Sequence, residues 1–315
     1  MTRVAAIDCG TNSIRLLVAD AADGGALVEV VRRMEIVRLG QGVDRTGRLD
    51  PAAIERTRVA LSGYAREITD LAADRVRMVA TSATRDAANA DDFRAMVTAT
   101  LGVPPEVVTG GEEARLSFLG ATRGLPADAE PPYLVIDIGG GSTEFVLGNS
   151  TMDSAATVAH AVSVDIGCVR MTERHLLDDP PTPAQVAAAQ ADIAATVDRA
   201  LSVVPGEQAR TLVGLAGSVT TVAALALRLD AYRPERIHHS RIPYADVAAA
   251  TTQLLGLTHA QRLALPVMHP GRADVIGAGA LVLRVIMEKV GAGSVLVSEH
   301  DILDGIAESL RDPAA

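Results

Sequence analysis

Tryptophan is absent from this 315-residue chain, and only three phenylalanines and four tyrosines are present. With aromatics at 2% and hydrophobic residues at 48%, the cores have to be packed from Ala, Val, Leu and Ile. Lysine is nearly missing as well: Lys289 is the only one, so 28 of the 29 basic residues are arginine. Such a bias reads as genome composition, so the number of arginines carries no functional information, although their positions can. No glycine precedes a lysine, which excludes a Walker-type phosphate loop. The two cysteines, Cys9 and Cys168, lack metal-ligand spacing and argue against a disulfide framework; Cys9 reads as a small buried apolar residue. No apolar stretch reaches the roughly 18 residues of a membrane span. Met1-Thr2-Arg3 leads straight into a strand, not a signal peptide, so the cytoplasm is the expected compartment. Basic excess is lacking too. A net charge of −10 argues against a general nucleic-acid binder, but not against a polyanion held in a locally positive site. His238-His239 belongs to no HExxH or Cys/His pattern and reads as loop. Neither Ser142 nor Ser218 sits in Gly-x-Ser-x-Gly, which removes a serine hydrolase.

What the chain does contain is one loop pattern written twice. Asp8-Cys9-Gly10-Thr11-Asn12-Ser13 and Asp137-Ile138-Gly139-Gly140-Gly141-Ser142 both read Asp-x-Gly-x-x-Ser, 129 residues apart. Each follows a short apolar run, Val4 to Ile7 and Leu134 to Ile136, that predicts a buried strand. A strand that ends in Asp and turns through glycine exposes backbone N–H groups suited to phosphate oxygens, and the Asp offers an oxygen to Mg²⁺ or its water. Each loop taken alone also reads as a tight hairpin turn. Repetition at domain spacing favours a phosphate chain held by two similar domains.

The first block begins with strand-like runs at Val4–Asp8, Ile14–Ala19, Ala26–Val31 and Glu35–Leu39. Asp50-Pro51, an N-cap followed by proline, starts a helix to about residue 72. A strand over Val76–Ala80, a helix over about 92–100, a strand over Glu106–Thr109 and a helix from Gly110 to about Arg123 follow. Gly124 to Pro132 is the best boundary, giving domains 1–124 and 125–315. The second block repeats strand–loop–strand over Tyr133–Leu147. Helices are predicted at 167–176, 182–204, 218–229, 244–256 and about 272–290, with strands at Thr211–Leu215 and Val295–Val297. Residues 231–243 read as loop, and a terminal helix starts near Asp301. Ala216-Gly217-Ser218 makes a third small-residue turn into a helix.

Glu112 and Glu113 open the helix that begins at Gly110. Acids there complement the helix dipole, and adjacent residues point about 100° apart, so at most one of them can face a site. A carboxylate beside bound phosphate can orient or deprotonate a water, which with a metal and amide or arginine contacts suffices for phosphoanhydride hydrolysis.

In these segments the chain resembles the Ppx/GppA phosphatases of the actin-like ATPase superfamily, exopolyphosphatases and guanosine pentaphosphate phosphatases. The resemblance is carried by Ile7–Ser13, Ala80-Thr81-Ser82-Ala83-Thr84-Arg85-Asp86-Ala87, Gly111-Glu112-Glu113-Ala114-Arg115, Ile136–Glu144 and Ala216-Gly217-Ser218. It implies two α/β domains of ribonuclease-H-like, actin-like type, each with a mixed five-stranded sheet, and a cleft between them. The terminal helix is expected to be able to pack back on the first domain. It implies Glu113 as the catalytic base and Asp8, Asp137 and Glu144 as residues near the metal, Mg²⁺ or alternatively Mn²⁺. Gly10, Thr11, Asn12, Ser13, Arg85, Gly139, Gly140, Gly141, Ser142, Gly217 and Ser218 are implied as phosphate contacts. Arg15 reads as a surface strand arginine that could also reach the site. The expected reaction is hydrolysis of the terminal phosphoanhydride of inorganic polyphosphate. The alternatives are removal of the 5′-terminal phosphate of guanosine pentaphosphate, a non-catalytic polyphosphate or alarmone sensor, and an actin-like kinase. Expected partners are polyphosphate or a guanosine alarmone, with no nucleic acid and no membrane, and a homodimer is a permitted assembly. Long family members add a helical C-terminal extension; this chain resembles the short two-domain form, so high processivity on long polymers is not expected.

Overall fold

The computed structural model of the chain describes residues 2–21, 26–151 and 154–311. It divides into two compact units: one holds the residues up to Gly120 together with those from Ile302 onward, the other Ala121–Asp301.

The first unit is built on a five-stranded sheet. Strands β1 (Thr2–Cys9), β2 (Ser13–Ala21) and β3 (Leu27–Ile36) form an antiparallel meander, and β4 (Arg75–Ala80) and β5 (Glu106–Val107) join parallel, giving the order β3-β2-β1-β4-β5. The run expected at Ala26–Val31 continues without a break to Ile36 as one strand, and Val37–Leu39 of the second expected run lie beyond its end. β3 lies at the sheet edge with most side chains exposed or half-exposed, so Arg32 and Arg33 interrupt the apolar pattern without interrupting the ladder. A one-turn helix α1 (Val43–Thr46) precedes α2 (Pro51–Asp70), whose Asp50 cap accepts the Ala52 N–H at 2.7 Å. Behind β4 come the single turn α3 (Ser82–Arg85), then α4 (Ala90–Leu101) and α5 (Gly110–Thr122). One face of the sheet packs on α2 and α4 through Ile7, Leu16, Leu61, Phe93 and Val97. The other face receives the terminal helix.

The second unit repeats that plan. β6 (Tyr133–Ile138), β7 (Thr143–Thr151) and β8 (Ser154–Val164) form the meander, followed by α6 (Cys168–His175) and α7 (Pro183–Leu201). Then come β9 (Thr211–Leu215), α8 (Ala216–Ala226), the turn α9 (Pro234–Ile237) and β10 (Arg241–Pro243). α10 (Tyr244–Gly256), α11 (His259–Leu263), α12 (Ile276–Val290) and β11 (Ser294–Val297) complete the unit. The sheet order is β10-β11-β9-β6-β7-β8, so it has six strands, not the expected five. The extra one, β10, lies in the segment read as loop; only Ile242 of its three residues is buried, too short a signal to register as a strand. Read from the meander inward, both sheets share one order, the ribonuclease-H-like arrangement. α13 (Ile302–Ser309) belongs to the first unit, where Ile302, Leu303 and Ile306 pack against Val4, Leu17, Val79 and Leu116. The second unit therefore ends at Asp301, not at 315, and the division near the middle of the chain falls at Gly120, four residues before the expected one. Among the described residues no helix is long and apolar enough to cross a membrane.

Candidate active site

In the first unit the Asp8 loop is a hairpin turn closed by the Gly10 N–H on the Ser13 carbonyl at 2.9 Å. Its other carbonyls point to the segment after β3: Thr11 O accepts from Gly40 N (2.8 Å), and Asn12 O from Val37 N (3.1 Å) and Arg38 N (2.9 Å). A trans peptide sends each carbonyl and the next N–H in opposite directions, so the Asn12 and Ser13 amides are turned away from that segment. Thr11 is buried with its methyl against Gly40, where a Cβ would lie 2.3 Å from it. Thr11 thus locks the loop with its side chain. Asp8, buried at the end of β1, sits directly opposite Arg15 on β2. Arg15 donates through two nitrogens to Asp8 Oδ2, at 2.7 and 3.0 Å. Arg15 is therefore part of this cluster and not a surface arginine.

Glu112 and Glu113 meet opposite fates. Glu112 faces solvent, where Arg115 beside it holds its carboxyl below the usual carboxylate range. Glu113 is 7% exposed and takes an Arg85 terminal nitrogen on Oε2 at 2.9 Å. Burial pushes its pKa up to about 7, with the Asp8 charge adding to the rise and Arg85 and Thr81 opposing it. Arg85 leaves the single turn α3, and the same nitrogen that holds Glu113 also donates to Val108 O at 3.1 Å. Asp8, Arg15, Arg85 and Glu113 thus form one network with a carboxyl poised near neutrality.

In the second unit the Asp137 loop closes the same way, Gly139 N–H to Ser142 O at 3.0 Å. Its carbonyls are taken by the start of α6. Cys168 N donates to Gly139 O (3.0 Å), Val169 N and Arg170 N to Gly140 O (2.9 and 3.1 Å), and Arg170 Nε to Gly141 O (2.7 Å). Peptide planarity then turns the amides of Gly140, Gly141 and Ser142 to the opposite side, the arrangement of backbone donors that anion-binding turns use. Gly167 permits this approach, since a Cβ there would lie 2.3 Å from the Gly140 carbonyl oxygen. Asp137 and Glu144 are direct cross-strand partners, both buried, and Ser163 donates its hydroxyl to Glu144 Oε1 at 2.7 Å. Where the first unit opposes Asp8 with an arginine, the second opposes Asp137 with a second carboxylate.

The third turn forms the start of α8, with Ala216 in the left-handed region at φ 70°. The guanidinium of Arg272 lies on Gly217, where a Cβ would be 2.4 Å from Cζ. The Ser218 hydroxyl turns inward, packed where a Cβ on Gly279 would stand and in hydrogen-bonding contact with the Cys168 sulfur. Cys168 ties this turn to the glycine loop. Its thiol is buried and burial raises it to about 11, as burial also raises Cys9, so neither is a reactive thiolate. Arg170 and Arg272 carry no motif in the sequence; in so arginine-rich a chain only position distinguishes them. His238 stacks on His239 and packs against His300, and burial lowers His238 to about 4.

Among the described residues no three His, Cys, Asp or Glu side chains gather as a metal cage. The Asp137–Glu144 pair nevertheless suits Mg²⁺, which keeps several waters and takes one or two carboxylates plus substrate phosphate oxygens. Asp8 is the weaker candidate, because its Oδ2 is committed to Arg15.

Comparison with known proteins gives consistent matches. The Ppx/GppA phosphatase family model matches residues 17–311. Exopolyphosphatase 2 of Mycobacterium tuberculosis is 53% identical over 322 residues, covering 98% of this chain and 99% of that protein. A crystal structure of an exopolyphosphatase-like protein has a TM-score of 0.93 at 44% identity, covering 98% of this chain and 97% of that one. The Ppx/GppA enzyme of Aquifex aeolicus has a TM-score of 0.80 at 31% identity, with 98% and 99% covered.

Proposed function

The chain belongs to the Ppx/GppA phosphatase family, and from that premise we propose that it is an exopolyphosphatase, hydrolysing the terminal phosphoanhydride of inorganic polyphosphate to release orthophosphate. The observation that carries the reading is Glu113, a buried carboxyl held by Arg85 and raised to about 7. A general base works best when its pKa lies near the working pH. Glu113 takes a proton from the attacking water, the water oxygen bonds to the terminal phosphorus, and the bridging oxygen leaves with the shortened chain. Each unit offers its own phosphate contacts: the first the backbone amides of the Asp8 loop and the charge of Arg85, the second the amides of the glycine loop and the Gly217 turn and the charge of Arg272. Asp137 and Glu144 would hold Mg²⁺, which would neutralise charge at the phosphates. The 53% identity to a protein named exopolyphosphatase 2 supports the same reading.

Polyphosphate is favoured over guanosine pentaphosphate by the aromatic residues. Phe93, Phe118 and Phe145 are fully buried and Tyr64 and Tyr133 nearly so. Tyr232 spends its hydroxyl on Thr220 and Glu299. A guanine base is left with little aromatic surface on which to stack. Phosphate release from medium-length polyphosphate and from guanosine pentaphosphate, at matched phosphoryl concentration and with or without EDTA, tests the proposal. Faster release from polyphosphate, abolished by EDTA and restored by Mg²⁺, is expected. Preference for the nucleotide would reassign the substrate, and tight binding without release under any divalent metal would make the protein a sensor.

A further inference from the structure

Three consecutive glycines are the least constrained stretch a chain can offer, yet Gly139-Gly140-Gly141 has to present its amides to one side. The first two peptides are held by main-chain donors, Cys168 N on Gly139 O and both Val169 N and Arg170 N on Gly140 O. The third is held by a side chain, since Arg170 Nε donates to Gly141 O at 2.7 Å. That carbonyl belongs to the peptide that carries the Ser142 N–H, so its orientation decides where the Ser142 amide points. The Arg170 side chain is only 12% exposed and sits in the first turn of α6, with a terminal nitrogen 3.7 Å from Asp165. It is thus ordered before any ligand arrives, which lowers the entropy lost on binding. It also brings a cationic group to a loop that contains no basic residue of its own.

We propose that Arg170 is a positioning residue for substrate binding: its bond to Gly141 O fixes the Gly141–Ser142 peptide with the Ser142 N–H turned toward a substrate phosphate. The inference rests on the reading of this loop as a phosphate site. Arginine suits the task because its planar guanidinium donates along Nε in a fixed direction, whereas lysine offers one flexible nitrogen.

The test combines kinetics with amide NMR on the full chain. In the wild type, titration with tripolyphosphate moves the Gly140, Gly141 and Ser142 amide signals. In Arg170→Ala, Gly140 and Gly141 still respond and Ser142 responds much less. The KM for polyphosphate rises about tenfold, the loss of one well-placed contact, while kcat changes less than about threefold. Arg170→Lys, the more conservative change, recovers part of the KM, and it carries the test if Arg170→Ala does not fold. An unchanged Ser142 response and unchanged KM in a folded variant overturn the inference about Arg170 alone. The same holds if kcat falls with KM unchanged. If none of the three wild-type amides responds to tripolyphosphate, the loop is not a phosphate site and both readings fall.

Discussion

Two adjacent glutamates, alike in sequence, differ in burial, and that difference gives them opposite chemistry. Glu113→Gln keeps the shape of the buried side chain but removes its basicity, so turnover should fall roughly 10²–10⁴-fold, the usual range for a lost general base. Glu112→Gln, at a solvent-facing ion pair, should leave most activity intact; equal losses in steady-state assays of both variants would return the pair to a helix-capping role. Because Glu113 titrates near 7, kcat/KM of the wild type should rise with pH to a plateau, with its acid limb near that value. The limb should be missing from the residual activity of Glu113→Gln. Stability carries the mirror image. A carboxyl whose folded pKa is raised from 4.5 to about 7 favours the folded state fully below 4.5 and loses that contribution as pH rises through 7. The melting temperature of Glu113→Gln relative to wild type should therefore be more favourable at pH 8 than at pH 5, and a flat difference across that range would mean the carboxyl is not perturbed. Gly217→Ala isolates a third residue. The three atoms nearest the new Cβ all belong to the far end of the Arg272 side chain, which can swing away at little cost in stability. We expect a higher KM for polyphosphate with an unchanged melting temperature, and an unchanged KM would separate Arg272 from substrate.

At the level of elements, glycine loops and the segments behind them act as pairs. The start of α6 is laid against the Asp137 loop so closely that Gly167→Ala would place a Cβ within 2.5 Å of three Gly140 and Gly141 backbone atoms. Gly167 has φ −120°, a conformation alanine adopts freely, so any penalty is steric and falls on the loop. Measured KM should rise at least as much as in Arg170→Ala, accompanied by a lower melting temperature; wild-type values for both would show that the loop tolerates displacement. The pairing of loop and support was only half legible in sequence. Asp-x-Gly-x-x-Ser announces the loop, but Val37–Gly40 and Gly167–Arg170, which take up its carbonyls, lie some 25 residues further along. Edge strands were equally hard to read. The exposed β3 loses its alternation at Arg32 and Arg33, β8 is exposed along Thr157–His160 and half-exposed along Ala161–Val164, and β10 has one buried residue. Central strands β1 and β6, buried along most or all of their length, stood out because burial on both faces leaves a continuous apolar run.

For the molecule as a whole, the two units share one strand order while the chain that completes the first returns only after the second has been made. α13 contributes Ile302, Leu303 and Ile306 to the first unit's core, all nearly fully buried. Burying three such side chains contributes up to about 9 kcal/mol, three times the roughly 3 kcal/mol upper value for one Leu or Ile, comparable to the whole stability of many domains. Ending the chain after Asp301 should therefore lower the melting temperature of the first unit sharply and open Val4, Leu17 and Val79 to solvent. Proteolysis and hydrogen exchange resolved by segment would register this; equal protection of β1 and β2 with and without α13 would overturn it.

The sequence by itself determined the repeated loop, the helix start at Pro51, the central strands and the family, because each is written in contiguous residues whose spacing matches a backbone period or turn. Tertiary structure alone decided which of two neighbouring glutamates is buried, that Arg15 faces Asp8 while Glu144 faces Asp137, and that Ser218 turns its hydroxyl inward. It also decided which of 28 arginines lie against the loops. These are facts of burial and of cross-strand and inter-element distance. A pKa or a carbonyl's direction depends on neighbours the fold supplies from far along the chain, which local sequence does not encode.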